Sequence, residues 1–423
     1  MVFIKALLRN KMNALNLTRS NPDKAFIASG VLLCALAFLF PLTRAGIQNA
    51  ILFFVLVTFL ISKERGRLLS IYKTNITAKI GALLFSYLAL SALWNGISED
   101  TFKFLLKYRE FILIGILVAL LTNEFIFKLT YRAFLLGLIL TLVASYLIYF
   151  DLWFWRNGVW NSLHARIFHG LQMNILLLVC LYQILIKRKH SAFSVTILVA
   201  IVINLIFVEP GRNSQLTMLI LLAFFGVIYL FQSGGRKAAI IFGILIAFIS
   251  LSMAFKEADV RLLDNQSKMH DALYTMDEKK IRNLDIRAAW YINSLHLIFE
   301  SPISGYGLGN TKTPYKQLKK NQGYYKQQDV YPAPDHVHNQ FLQTSLEAGI
   351  MGGILFTIFL ISILFLTHIS PSLKIGVFII TALSNLFNSS FLDHGDGWIL
   401  MLVISLLIAK SGSRNSFLQL KKS

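Results

Sequence analysis

Apolar blocks long enough to cross a lipid bilayer recur along almost the whole chain. They fall near residues 26–41, 47–62, 78–94, 104–122, 130–150, 171–186, 193–208, 215–231, 238–254, 349–367, 374–391 and 398–410. A hydrocarbon core is about 30 Å thick, and a helix crosses it in about 20 residues. The repetition predicts an all-α polytopic membrane protein with about a dozen transmembrane helices. Composition supports this: 56% of residues are hydrophobic and only 15% charged, against about a quarter charged in soluble domains. The formal net charge is +20. The basic residues are scattered between the blocks, which argues against nucleic acid and for cytoplasmic anchoring or an anionic, lipid-linked partner. Cys34 and Cys180 lie inside apolar blocks without metal-ligand spacing, as inert thiols do.

Loop charge sets an expected orientation. Lys5, Arg9, Lys11, Arg19 and Lys24 precede the first block, and Lys63, Arg65, Arg67 and Lys73 follow the second. Alternate loops continue the pattern with Lys128 and Arg132, Lys187–Lys189, Arg236 and Lys237, then Lys374, and the tail adds Arg414, Lys421 and Lys422. The intervening loops carry Glu99 and Asp100, the run Trp153–Trp160, Glu209 and Arg212, then Asp393 and Asp396. Both termini are therefore expected inside. The expected organisation is a cytoplasmic tail at 1–25, spans one to nine over 26–254, an outer loop at 255–348, spans ten to twelve over 349–410 and a second tail at 411–423. The long outer loop is partly helical: Ile286, Ala289, Trp290, Asn293 and Leu297 recur near helical spacing before Ser301-Pro302.

Candidate chemistry gathers on the outer face. Glu209-Pro210-Gly211-Arg212-Asn213-Ser214 forms a turn before a helix, where free backbone N–H groups and Arg212 could hold an anion. The competing reading is an arginine snorkelling to head groups. Arg287 shares a helix face with Trp290, Tyr291 and Ser294, which suits a phosphate or a stacked ring, although a solvated arginine fits as well. Gly305-Tyr306-Gly307-Leu308-Gly309 follows a helix rather than a strand, so a tight, close-packed turn is expected instead of a nucleotide loop.

Pro332-Ala333-Pro334-Asp335-His336-Val337-His338-Asn339 holds the chain extended before a helix starting at His338 or Asn339, which Asn339 or Asp335 would cap. Gly349, Gly352 and Gly353 would let that helix pack closely. A histidine at a helix N-terminus is biased towards its neutral form and suits a general base. A His-x-His metal site completed by Asp335, Asp393 or His394 is the rival reading, and the spacing does not fix such ligands.

Together these residues resemble the O-antigen ligase and polymerase superfamily of polytopic glycosyltransferases. The resemblance rests on Gly211-Arg212-Asn213-Ser214, Arg287…Trp290…Ser301-Pro302…Gly305-Tyr306-Gly307-Leu308-Gly309 and His338-Asn339-Gln340-Phe341-Leu342…Glu347-Ala348-Gly349…Gly352. Asn213-Ser214 departs from the Ser/Thr-Gly that often follows the first arginine in the family. The resemblance implies metal-independent, cofactor-free transfer of a glycan from undecaprenyl diphosphate to lipid A–core, with inversion, on the periplasmic side of a bacterial inner membrane. On matching positions, Arg212 and Arg287 would bind the diphosphate and His338 would activate the acceptor hydroxyl, with His336 and Asn339 as further substrate-binding residues. An O-antigen polymerase and an O-linked protein oligosaccharyltransferase are the alternatives within the superfamily. Protein-directed relatives often carry an added C-terminal periplasmic domain, and few residues follow the last block here, which favours the ligase. A lipid-linked sugar transporter would predict ionisable residues and broken helices within the spans, whereas the apolar blocks are largely free of charge.

Overall fold

The computed structural model describes residues 23–43, 45–97, 99–153, 162–189, 191–233, 286–321 and 333–420. The described residues fold into helices and contain no strand. In chain order the helices are α1 (Lys24–Leu39), α2 (Ala45–Ile61), α3 (Arg67–Thr74), α4 (Ile76–Asn95), α5 (Glu99–Tyr108), α6 (Glu110–Leu121), α7 (Glu124–Tyr149) and α8 (Arg166–Leu181). They continue with α9 (Ala192–Ile203), α10 (Arg212–Ser233), α11 (Ile286–Glu300), α12 (Lys312–Asn321), α13 (Gln340–Ser362), α14 (Pro371–Phe387) and α15 (His394–Leu420). Short polar side chains start several of them. Asp23 accepts from the N–H of Phe26, Asn75 from Ala78, and Asn123 from Phe125 and Ile126, which satisfies donors that a helix start leaves without partners.

Apolar helices occupy the expected blocks, except the ninth at 238–254, which lies outside the described residues. Five of them are long and apolar enough to cross a membrane: Ile76–Leu93, Glu124–Tyr149, Arg166–Ile186, Arg212–Phe231 and Gln340–Phe365. Gly46–Ile61 with Lys63–Thr74, bent by 86°, makes a sixth if the pair is one broken span. The expected dozen is thus not reached among the described residues. For the first, seventh and eleventh blocks the reason is length. Lys24–Leu39 and Pro371–Phe387 have 16 and 17 residues, and at about 1.5 Å per residue such helices fall short of a ~30 Å core. The block at 104–122 is divided, because α5 ends at Tyr108 and α6 begins at Glu110.

The most buried span runs through the middle of the array. Of the Arg166–Ile186 window, 83% is buried, and α8 packs on α7, α9, α10 and α14. The outer faces carry Phe53, Phe54, Leu83, Leu93 and Val143 exposed, the inside-out pattern of helices that face lipid.

The loop motifs acquire a clear role in α13. This helix is broken at Ala348 (φ −132°, ψ 24°) and Gly349 (φ 70°, ψ −178°). The turn at 301–309 docks into the break: Tyr306 N–H donates to the Leu346 carbonyl (2.7 Å), Gly307 N–H to Glu347 (2.9 Å), and Ile350 N–H to Pro302 (2.8 Å). The groups freed by the break are therefore paired by a second segment, as an apolar surrounding demands. A Cβ at Gly349 would lie 2.1 Å from the Ile303 carbonyl oxygen, and one at Gly305 would lie 2.6 Å from Gly349 N. Backbone meets backbone here, so neither neighbour can yield. Gly349→Ala is expected to cost on the order of 3 kcal/mol or more, read as a lowered thermal midpoint of the detergent-solubilised protein. Gly46→Ala, where an added Cβ meets nothing within 4 Å, serves as the control and should leave the midpoint in place.

Candidate functional site

Two of the expected residues share one cavity. Arg212 opens α10 and Arg287 lies in the first turn of α11, both exposed. Although 75 positions separate them in sequence, they line the same pocket of about 430 Å³ together with Asn174 and Ser384. Arg212 stands at the positive end of a 22-residue helix, where partial charge on the first N–H groups favours an anion.

A third arginine joins them. Arg166, at the start of α8, lines the pocket as well. Its Nε donates to Glu209 Oε1 at 3.1 Å, and the Glu209 side chain is 2% exposed. The other oxygen, Oε2, is buried without a hydrogen bond among the described residues. A buried carboxylate of this kind anchors the guanidinium that partners it. Sequence reasoning missed this pair. Its signal was an arginine and a glutamate flanking two apolar blocks at ends expected on the same side.

The histidine loop is assembled by three helices. Asn339 caps α13 by accepting from Leu342 N–H at 3.1 Å, so of the two expected caps Asn339 serves. Asp335 instead pairs with Lys312 at 2.7 Å, and that lysine holds its carboxyl below the ordinary range. Gln340, Gln343 and Glu347 line one face of α13 and lock the loop from below. Gln343 donates to Glu347 Oε1 (2.7 Å) and accepts from Val337 N–H (3.0 Å), while Gln340 donates to the Tyr108 hydroxyl (2.8 Å), which donates to Glu347 Oε2 (2.8 Å). Glu347 and, on α6, Glu110 are fully buried, so the apolar helices do carry ionisable groups; the break beside Glu347 is accounted for by the docked turn.

His338 itself has φ 52°, a left-handed conformation uncommon outside glycine, although histidine enters it more readily than most residues. The Tyr291 hydroxyl donates to its carbonyl at 2.9 Å. The Trp290 ring stacks on its imidazole at 5.6 Å between centroids, 17° from parallel, and His336 meets it edge-on at 4.3 Å. Nδ1 lies 3.1 Å from Asn388 Oδ1. The α11 face read from the sequence therefore faces the histidine: Arg287, one turn before Trp290 and Tyr291, holds the pocket while its neighbours hold His338. Burial first, then His336, lowers the His338 pKa from its ordinary value; Arg287 acts in the same direction, and Asn388 and Asp393 oppose it.

His336 Nε2 lies 3.5 Å from Asp393 Oδ1, and its Nδ1 is buried without a hydrogen bond among the described residues. Burial works against charge on Asp393, yet His336 and Asn388 hold that carboxyl below the ordinary range. Among the described residues no group of three or more His, Cys, Asp or Glu stands within reach of a common metal ion. The sequence-derived site residues are thus divided between an arginine-lined pocket and a histidine loop beside it, joined by α11 and by Phe387, which lines the pocket, next to Asn388, which touches His338.

The described residues are all-helical apart from turns and loops, include several membrane-spanning candidates, and set a half-buried histidine beside an arginine-lined pocket. Residues 197–357 match the O-antigen ligase family, and this stretch contains Arg212, Arg287, His336, His338 and Asn339. A Rickettsia conorii protein provisionally named a polysaccharide ligase is 28% identical over 186 residues, covering 41% of this chain and 43% of that relative. The chain thus spans less than half the length of the relative it matches. These similarities support a function of the ligase and polymerase type.

Proposed function

We propose that the chain is an inverting glycosyltransferase that moves a glycan from undecaprenyl diphosphate to lipid A–core, working on the periplasmic side of a bacterial inner membrane. The observation that carries this reading is the meeting of Arg212 and Arg287 in one cavity, with Arg287 on the helix whose Trp290 and Tyr291 also hold His338. A sugar diphosphate leaves as an anion and needs no acid to protonate it. It needs positive charge placed where negative charge grows, which Arg212, Arg287 and the start of α10 supply, with Arg166 adding to the field. The acceptor hydroxyl oxygen attacks the anomeric carbon from the side opposite the diphosphate. Its proton passes to His338, and the bond to the diphosphate breaks with its electron pair on the departing oxygen. One displacement inverts the anomeric centre. Asn339 and His336 act on this reading through the loop: Asn339 fixes the helix start, and His336 borders the base.

Reconstitution in liposomes with undecaprenyl-diphosphate glycan and lipid A–core tests the reading. Glycan on lipid A–core, undiminished by a chelator, is the expected product. A lengthened polyprenyl glycan would make the chain a polymerase, and transfer to protein alone would make it an oligosaccharyltransferase. The pH profile has an expected form too. A base must be neutral to accept a proton, and the His338 pKa is lowered. The acid limb of kcat/KM should therefore fall below ~6.5, the ordinary histidine value, so activity persists into mildly acidic buffer. A limb above that value would point to another base.

A further inference from the structure

We propose that Asn388 is a positioning residue that locks His338 in its Nδ1–H tautomer and thereby reserves Nε2 as the nitrogen that accepts the proton. The inference rests on the reading of His338 as a base, and on three contacts around one buried amide.

Asn388 follows the last residue of α14 and is 1% exposed. Its Nδ2 donates to Asp393 Oδ2 at 2.6 Å and faces Asp396 Oδ2 at 3.3 Å. A carboxylate only accepts. The orientation of an amide is set by its hydrogen-bond partners, and here the NH₂ group must turn to the Asp393 carboxylate, which His336 helps to keep ionised. That leaves Oδ1 towards His338 Nδ1, 3.1 Å away. Oδ1 has no hydrogen to give, so Nδ1 must be the donor. A neutral imidazole carries one N–H; with it on Nδ1, the lone pair is on Nε2. Among the described residues Nε2 has no hydrogen-bond partner, while the ring is held by stacking on Trp290 and by an edge contact with His336. An imidazole free in water favours the opposite tautomer, with its proton on Nε2, and in that form the nitrogen facing the substrate would be useless as a base.

During transfer the acceptor O–H bond breaks and its proton goes to the Nε2 lone pair. The oxygen's electron pair forms the new bond to the anomeric carbon, and the imidazolium keeps its Nδ1–H on Asn388. Asp393 stands behind the amide, so the positive charge on the ring is met by a carboxylate one residue removed. An amide in the middle position keeps the base from being bound to a carboxylate directly, which would raise its pKa. A comparable arrangement in serine proteases depends on the correct tautomer for about 10⁴ in kcat.

The test is ¹⁵N spectroscopy of full-length protein labelled at histidine and held in lipid nanodiscs at pH 8, with the His338 signals identified by their loss in His338→Gln. The expected spectrum has a pyrrole-like Nδ1 and a pyridine-like Nε2. In Asn388→Leu that pattern should give way to the Nε2–H form, and kcat should fall on the order of 10²-fold or more with donor KM little changed. A wild-type Nε2–H tautomer, or an unchanged tautomer in Asn388→Leu, would overturn the proposal. Should the leucine variant fail to fold, the exchange Asn388→Asp with Asp393→Asn keeps an acceptor on Nδ1 and a donor behind it. The groups acting on His338 are His336, Arg287, Asn388 and Asp393, so moving the carboxylate next to the ring should preserve Nδ1–H and move the acid limb of kcat up by about 1 unit or more. Loss of Nδ1–H in the exchanged protein, or an unmoved limb, would count against it. Because the spectra need no turnover, an inactive protein with the expected tautomer would leave Asn388 in place and remove His338 from the role of base.

Discussion

His338→Ala is expected to reduce kcat by about 10²–10⁴-fold while leaving donor KM near the wild-type value. The size follows from what the ring does and what it does not. His338 contributes no positive charge to the cavity in its neutral state, so donor binding, which depends on the arginines, should survive its removal. The left-handed backbone at His338 is held partly by the Tyr291 hydroxyl on its carbonyl, a contact an alanine keeps, so the loop should remain in place. His336→Ala should be milder, because His336 borders the base, meeting Asp393 and the ring of His338, and does not itself take the proton on the proposed mechanism. Single-turnover transfer with both variants at saturating donor decides the matter. A His336 variant more damaged than the His338 variant would exchange the roles of the two rings.

The candidate residues that the structure brings near one another were easier to pick out of the sequence than the membrane spans. Arg212, Arg287 and the His-x-His segment could be picked out because each stands beside helix-breaking residues or on a readable helix face, and local signals of that kind survive without tertiary information. The span count could not be read as well. Hydropathy reports where apolar residues lie, yet it is blind to a helix that restarts at Arg109 or stops after 16 residues at Leu39. The glycines of 305–309 were legible as a close-packed turn. That they enter the break at Gly349 was not, since both partners are backbone groups some 40 positions apart. Asn388 was hidden for another reason. It sits at the end of a block read as one continuous span to 391, and only the structure shows that α14 stops at Phe387 and turns its last polar residues to the histidine. Arg166 was likewise read past as loop, since its meaning depends on Glu209, which only folding brings near.

The arginines should respond differently from the histidine and from each other. Arg212→Ala and Arg287→Ala are each expected to lower kcat/KM by about 10²–10³-fold, the cost of removing one donor from a site built to stabilise developing charge. The double variant should lose less than the product of the two, because residues that line one cavity act on the same phosphates and their effects do not add. Lysine at either position should restore only part of the loss, since an ammonium supplies charge without the two-pronged geometry of a guanidinium. The pH profile then separates them. Arg287 is one of the groups that lowers the His338 pKa, so its removal should raise that pKa and carry the acid limb to higher pH. Arg212 is not among the leading influences on the ring, and its variant should move the limb less while lowering the rate. A limb that moves equally in both variants would mean that the cavity and the histidine loop are coupled by something other than α11, and a full rate in either variant would take that arginine out of the mechanism.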